Sequence, residues 1–301
     1  MRWNQRGYII KKEDGSEMVN YNNDAFPSYI HYGEIYPGAT WSNVAHFHQD
    51  LEFITVCAGQ MAYNVNGRNI FLKEGDTIFV NSGQVHYSIP TSEDECRYYI
   101  YILHPSILCS TYIVESEYVE PITSNDKLPY IHFKANDSFG KRMHEAAEEI
   151  YSAYGNEFKI TVAFFNLWRI IMDFCKERGK FETVNVQSSA LICFKSMMAY
   201  IHENFAQKIT LDDIAQAGNV SRTYCNKLFK SFTSQSPMEN LLRYRVEKVA
   251  SYLGNSGLSM SDIAQKTGFS GASYMTESFR KVYGKSPRDY KGKKEEDYVT
   301  M

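Results

Sequence analysis

Two groups of residues in this chain have the types and spacings to do chemistry. The first is His46-x-His48, followed by Glu52 and, well downstream, His86. Imidazole nitrogens and a carboxylate are the donor set of an open-sided divalent-metal site, and the same groups can line a pocket and hydrogen-bond a polar small molecule. Side chains alternate along a strand, so His46 and His48 are expected to face one way, with Glu52 and His86 completing the set from facing strands. Candidate metal ligands are therefore His46, His48, Glu52 and His86, and candidate effector contacts are these four plus Trp41 at the pocket rim.

The second group lies near the carboxyl end. Arg222, Thr223, Asn226, Lys227 and Lys230 occupy one helical stretch, and Gly271, Ala272, Ser273, Thr276, Glu277 and Arg280 another. Asn pairs bidentately with adenine, Arg and Lys reach guanine or phosphate, and a threonine methyl meets a thymine methyl. Glu277 could accept from cytosine, but the second stretch is poorer in donors, so the first is expected to matter more. The partner implied is double-stranded DNA.

The elements that must position this second group are stated twice between Ile209 and Lys291. Ile214-Ala215 returns as Ile263-Ala264, and after a gain of one residue Tyr224, Phe229 and Ser236-Pro237 return as Tyr274, Phe279 and Ser286-Pro287. Each copy reads as helix, tight turn, helix. Thr210 with Asp213 and Ser259 with Asp262 have the spacing of capped starts; Gly218-Asn219 and Gly268 break the first helices; Ser221 and Ser270 are expected to cap the second. Tyr224, Leu228 and Phe229, and later Tyr274 and Phe279, are expected to turn inward. A helix from about Pro237 to Leu253, roughly 25 Å long, would bridge two readers able to enter successive major-groove faces roughly 34 Å apart.

Gly268-Phe269-Ser270, Tyr274, Phe279-Arg280-Lys281, Gly284, Ser286-Pro287 and Tyr290 together resemble the DNA-binding domain of the AraC/XylS family of bacterial transcriptional regulators. The resemblance covers the last third of the chain. It implies promoter activation or repression through two adjacent groove contacts, with RNA polymerase as a further partner of an activator. Ser234, Val249, Met275 and Lys291 depart from the family pattern.

Ahead of this segment the texture is that of short strands. Leu51 to Cys57, a Met61–Val65 and Arg68–Leu72 hairpin across Asn66-Gly67, Thr77 to Val80, Val85 to Ile89 and Cys96 to Leu103 predict a small antiparallel barrel or sandwich. His46-x-His48, Glu52, Gly59, Gly75-Asp76, Gly83 and His86 resemble the two motifs of the cupin superfamily, with Asn81 in place of the usual proline and Pro90 in place of the usual asparagine. Residues 1 to 35 read as an arm with short extended pieces at Tyr8-Ile9-Ile10 and Tyr29-Ile30-His31. Helical stripes follow at Asp137 to Tyr154 and about Phe158 to Glu177, the second with an apolar arc wide enough to be wholly buried or to meet its copy in a second chain.

The organisation expected is α+β: a cupin-like antiparallel β-barrel with an amino-terminal arm over 1–136, a helical pair for dimerisation over 137–178, a linker over 179–189, an all-α double helix-turn-helix domain over 190–292, and a disordered tail over 293–301. Residues 188 to 292 hold 14 basic against 8 acidic side chains, while residues 1 to 187 hold 16 against 24, so only the carboxyl-terminal part suits phosphate contact. Six cysteines without a C-x-x-C pair point to reduced thiols in a cytoplasm and against an alkyl-transfer repair protein, which needs a cysteine zinc cluster. Nothing resembles a signal peptide, and no apolar run is long enough to span a membrane.

The function expected is a cytoplasmic, nucleoid-associated homodimeric regulator that binds DNA and senses a small polar effector, a carbohydrate being plausible given 23 tyrosines. The alternative is a metal-dependent cupin enzyme acting on a sugar or small acid, with the helical domain as a passenger.

Overall fold

The computed structural model describes residues 12, 16–23, 25–39, 41–91, 95–178, 189–255 and 257–290. The extended piece at Tyr8-Ile9-Ile10, residues 179–188 of the expected 179–189 linker and the tail over 293–301 lie outside the described residues, and Ser189 opens a helix. The chain divides into two compact units, one of them formed by Glu17–Ser189 and the other by the chain from Ala190 onward.

Among the described residues, eight strands build the first unit: β1 (Ser28–Ile35), β2 (Leu51–Ala58), β3 (Gln60–Val65), β4 (Arg68–Lys73), β5 (Thr77–Val80), β6 (His86–Pro90), β7 (Cys96–Leu103) and β8 (Tyr130–Phe133). They form a five-stranded sheet in the order β1-β7-β2-β5-β8 and a three-stranded sheet in the order β4-β3-β6. Every pairing is antiparallel. The β3–β4 hairpin turns on Asn66 (φ 49°) and Gly67 (φ 83°), the two left-handed residues that a tight turn matched to strand twist requires.

The apolar runs follow from the layering. On one face of the large sheet, Phe53, Phe79, Tyr101, Leu103 and Phe133 pack against two helices; on the other, Ile54, Val56, Ile78 and Val80 meet Met61, Tyr63, Val65 and Leu72 of the small sheet. Strand β2 is therefore buried on both faces over Leu51–Val56 and reads as nearly continuous hydrophobic sequence. Parity along β2 puts Glu52 on the same face as Ile54 and Val56, between the sheets.

The helices are α1 (Ser138–Ser152) and α2 (Glu157–Glu177), capped by the side chains of Asp137 and Asn156. Tyr101 ties the sheet to α1 by donating from its hydroxyl to the Ala147 carbonyl at 2.7 Å. α2 buries Ile160, Phe164, Leu167, Trp168 and Ile171. It does not bury its whole apolar arc: Phe158, Val162 and Phe165 are 78, 43 and 37 % exposed.

Three features of this unit differ from expectation. Residues 28–35 are not part of a loose arm but a full edge strand paired with β7 along its length. Strand β8 adds the opposite edge. Between β7 and β8 run a 3-10 turn (Pro105–Ile107) and helical turns over Tyr112–Thr123, including a π-helical stretch at Glu115–Val119, where no helix was expected.

The second unit holds α3 (from Ala190 to Asn204 of a helix beginning at Ser189), α4 (Leu211–Ala217), α5 (Arg222–Thr233), α6 (Pro237–Asn255), α7 (Met260–Lys266) and α8 (Ala272–Tyr283). α4–α5 and α7–α8 are the two helix-turn-helix copies. Complete capping boxes, Thr210 with Asp213 and Ser259 with Asp262, start α4 and α7. α6 has 19 residues and so spans ~28 Å.

The turns show where the frame gains its residue. Val220 N bonds to Ala215 O as Phe269 N bonds to Ala264 O, an offset of 49, and the left-handed residue is Asn219 (φ 52°) in one copy and Gly268 (φ 74°) in the other. Ser221 then caps α5, whereas α8 starts after Gly271, whose φ of 176° is plain extended backbone without a side-chain cap. Ser270 is the inserted residue, not the cap that its counterpart suggested.

A second correction concerns the tyrosines. Tyr224 and Tyr274 are 39 and 49 % exposed, while Cys225 and Met275 are fully buried. With Leu228, Phe229 and Phe232 facing the core, a period of 3.6 brings Cys225 onto the buried stripe and turns Tyr224 about 100° away.

A Cβ on Gly268 would lie 2.5 Å from the Phe205 carbonyl oxygen and 3.0 Å from Arg245 Nε, in a left-handed conformation. Gly268→Ala is expected to cost ~2 kcal/mol or more, combining overpacking with the left-handed penalty, and Asn219→Ala about 1 kcal/mol. Urea unfolding of the full chain, followed by circular dichroism, checks the ranking.

Candidate functional site

The imidazole cluster is assembled between the two sheets. His46 and His48 are not on a regular strand, as expected, but on an extended segment just before β2. His46 pairs backbone to backbone with His86 at the start of β6, its N donating to His86 O at 3.2 Å and its carbonyl oxygen accepting from His86 N at 2.9 Å. Alternation along this segment still brings both rings to one side. The ring centroids of His46 and His48 lie 4.3 and 4.9 Å from that of His86.

Each ring is anchored in the same way. Nδ1 of His46, His48 and His86 lies 2.8, 3.1 and 2.8 Å from the carbonyl oxygens of Val44, Asp50 and Gln84. A carbonyl only accepts, so these bonds put a proton on every Nδ1 and leave every Nε2 aimed inward. His48 Nε2 and His86 Nε2 are 3.3 and 3.4 Å from Glu52 Oε2. Tyr63 on β3 donates its hydroxyl to the other oxygen, Oε1.

The four candidate ligand atoms lie within 4.8 Å of one another. Two donors each about 2.1 Å from one ion, at a tetrahedral angle, are about 3.4 Å apart. Buried His86 Nε2 has no hydrogen-bond partner of good geometry among the described residues. Donor types, spacing and anchored rings all fit a divalent ion held by His46, His48, Glu52 and His86.

Burial works against the charge on His48, but the hydrogen bond to Glu52 and the charges of Glu52, Glu17 and Asp50 outweigh it and raise the imidazole to about 9. For Glu52, burial favours the neutral acid, yet His86 and the bond from His48 hold the carboxyl well below its usual range. Burial, reinforced by His86, pushes His46 well below the ordinary imidazole value.

Two neighbours of this cluster escaped sequence reasoning. Tyr63 carries a usable signal, since it shares the inward parity of Met61 and Val65 on β3. Glu17 carries none: it comes from a non-local segment, and its Oε2 lies 3.3 Å from His46 Nε2. Trp41, expected at the pocket rim, packs against the core between the sheets, edge-on to Tyr36 at 5.8 Å, and bonds to Tyr98. Asp76 serves a turn, its carboxylate accepting from Lys73 N and Ala135 N and facing His132 at 3.0 Å.

On α5, Thr223, Lys227 and Lys230 are exposed and Asn226 partly so. Two of the expected readers are already engaged. The Arg222 guanidinium forms a two-pronged pair with Asp212 of α4, and Asn226 Nδ2 donates to the Arg222 carbonyl at 2.9 Å. On α8, Ser273 and Arg280 are exposed, Ala272 and Thr276 partly so, and Glu277 is paired with Lys281 at 3.0 Å.

Comparison with known proteins agrees with both halves of this description. A helix-turn-helix domain model matches residues 214–293 and a cupin domain model matches residues 31–102. The HTH-type transcriptional regulator YdeC of Bacillus subtilis is 26 % identical over 253 residues, covering 82 % of this chain and 85 % of YdeC. The raffinose operon transcriptional regulatory protein RafR of Pediococcus pentosaceus is 27 % identical over 110 residues, which span 36 % of this chain and 40 % of RafR. Among solved structures, unsaturated fatty acid bound ToxT from Vibrio cholerae superposes with a TM-score of 0.47 at 13 % identity, covering 91 % of this chain and 97 % of ToxT. With a cupin domain in front and a duplicated helix-turn-helix behind, the chain is similar to relatives named as HTH-type transcriptional regulators.

Proposed function

We propose that this regulator answers to a small polar effector that binds between the sheets at the imidazole cluster of a homodimer and alters how its two DNA-binding domains sit on a promoter. One observation carries the reading: three buried histidines with every Nδ1 tied to a carbonyl and every Nε2 aimed at carboxylates. A core needs no such arrangement for packing. His46, His48, Glu52 and His86 would hold a divalent ion, which supplies a Lewis-acidic position for an oxygen of the effector. The anchored rings orient that site, and Tyr63 steadies Glu52.

A carbohydrate is the first effector class to test, because the name of RafR ties that relative to a raffinose operon. Coupling to DNA requires the effector to bind one arrangement of the dimer better than another. On this reading the protein is not an enzyme, works in the cytoplasm on nucleoid DNA, and meets RNA polymerase where it activates. A metal-dependent enzyme acting on a sugar or small acid is the second reading, favoured by the same cluster, and it leaves the duplicated reader without a task.

The dimer surface is the exposed side of α2. Phe158, Val162, Phe165 and Arg169 are all exposed and recur at i, i+4, i+7 and i+11, the seam of a helix pair. For DNA, Thr223, Lys227 and Lys230 with the unexpected Tyr224 form the outer face of α5. Tyr274 with Ser273 and Arg280 do so on α8.

Protein purified without chelator or affinity tag is expected to carry about one divalent ion per chain by inductively coupled plasma mass spectrometry, and His86→Ala to lose it; a content below about a tenth would remove the metal. Calorimetry against sugars and small acids, read beside footprinting of the protein's own upstream region with and without each ligand, tests the effector.

Val162→Glu or Phe165→Glu is expected to convert a sedimenting dimer to a monomer with unchanged circular dichroism. Lys227→Ala is expected to weaken operator binding by about 1 to 3 kcal/mol. Arg222→Ala should cost less, because its charge is already matched by Asp212; gel-shift titrations at fixed salt give the comparison.

A further inference from the structure

We propose that Glu17 is a further ligand of the ion held by His46, His48, Glu52 and His86, so that metal loading fastens the amino-terminal segment across the barrel. This rests on the metal reading of the cluster given above. The cluster gathers three Nε2 atoms and the oxygens of two carboxylates: His46 faces Glu17, and His48 and His86 face Glu52. The Tyr63 hydroxyl answers one of them, Glu52 Oε1. Buried His86 Nε2 has no partner of good geometry among the described residues, and a divalent cation at the centre would serve it together with its neighbours.

The Glu17 carboxylate joins the group through His46. Its Oε2 stands 3.3 Å from His46 Nε2, the separation that also relates His48 Nε2 to Glu52 Oε2. Its side chain is only 15 % exposed. The backbone holds it there: Glu17 N donates to Phe47 O at 2.7 Å, between the two histidines of the His-x-His run. Four residues on, Tyr21 donates its hydroxyl to Asp50 Oδ1 at 2.6 Å, and the Asp50 carbonyl anchors the His48 ring. The segment is thus pinned at two points beside the cluster and delivers a carboxylate to it. The expected site is not open-sided but closed by the chain's own amino-terminal segment, and an effector that reaches the ion must take the place of Glu17.

The test uses full-length protein stripped with a chelator and titrated with zinc ion alone. Calorimetry gives the affinity, and hydrogen exchange with mass spectrometry follows the peptide spanning residues 17–21. Glu17→Gln is expected to weaken zinc binding about tenfold or more. Zinc is expected to slow exchange of that peptide in the wild type and not in Glu17→Gln, with Glu17→Asp in between. Equal zinc affinity and equal protection in wild type and Glu17→Gln would overturn the role of Glu17 while leaving the metal site in place. Absence of zinc binding in the wild type itself, matched by no effect of His86→Ala, would overturn both.

Discussion

The amino-terminal unit is organised around a cost it has to meet: strand β2, buried on both faces, carries an ionised Glu52 between the sheets. An isolated carboxylate in such a place would take up a proton rather than stay charged. Here the strands around it supply what keeps it ionised: His86 from β6, Tyr63 from β3 and His48 from the segment entering β2. The rings cannot drift away, because backbone carbonyls hold each by its other nitrogen. Hydrophobic layering packs the sheets, and this polar centre fixes how they meet, since a one-residue slip of β2 would turn Glu52 onto the helix-covered face.

In the second unit the constraint is geometric. Two readers are presented from one compact unit, and α6 supplies the spacing. Capping boxes at Thr210 and Ser259 start the supporting helices in the same manner, and a left-handed residue, Asn219 or Gly268, makes each turn. The outer faces are unequal in chemistry. α5 offers threonine and lysines, with its arginine already paired to an aspartate, while α8 offers small residues and a glutamate neutralised by its neighbouring lysine.

Much of this was legible in the sequence, and the failures have physical causes. The strands between Leu51 and Leu103 stood out because Asn66-Gly67 marks a hairpin and alternation marks the faces. β1 and β8 did not, because edge strands bury fewer side chains and β1 is interrupted by His31, Gly33 and Glu34. The helical turns over 105–123 have no sustained period. The four cluster residues were readable from their spacing, yet Glu17 was not, since nothing local connects it to His46. The duplicated reader was evident, but the phase of its helices was misjudged by one position: tyrosine looked like core, and the smaller Cys225 and Met275 took that place.

Ser270 makes the two copies of the reader non-interchangeable. The extra residue sits after the turn and before the helix, so α8 begins one step later relative to its supporting helix than α5 does, and from extended glycine rather than a serine cap. A chimera built by transplanting the outer residues of one reader onto the other would inherit a helix entering the groove at a different depth and rotation. Retargeting this protein to a new site therefore means moving turn and helix together as one cassette.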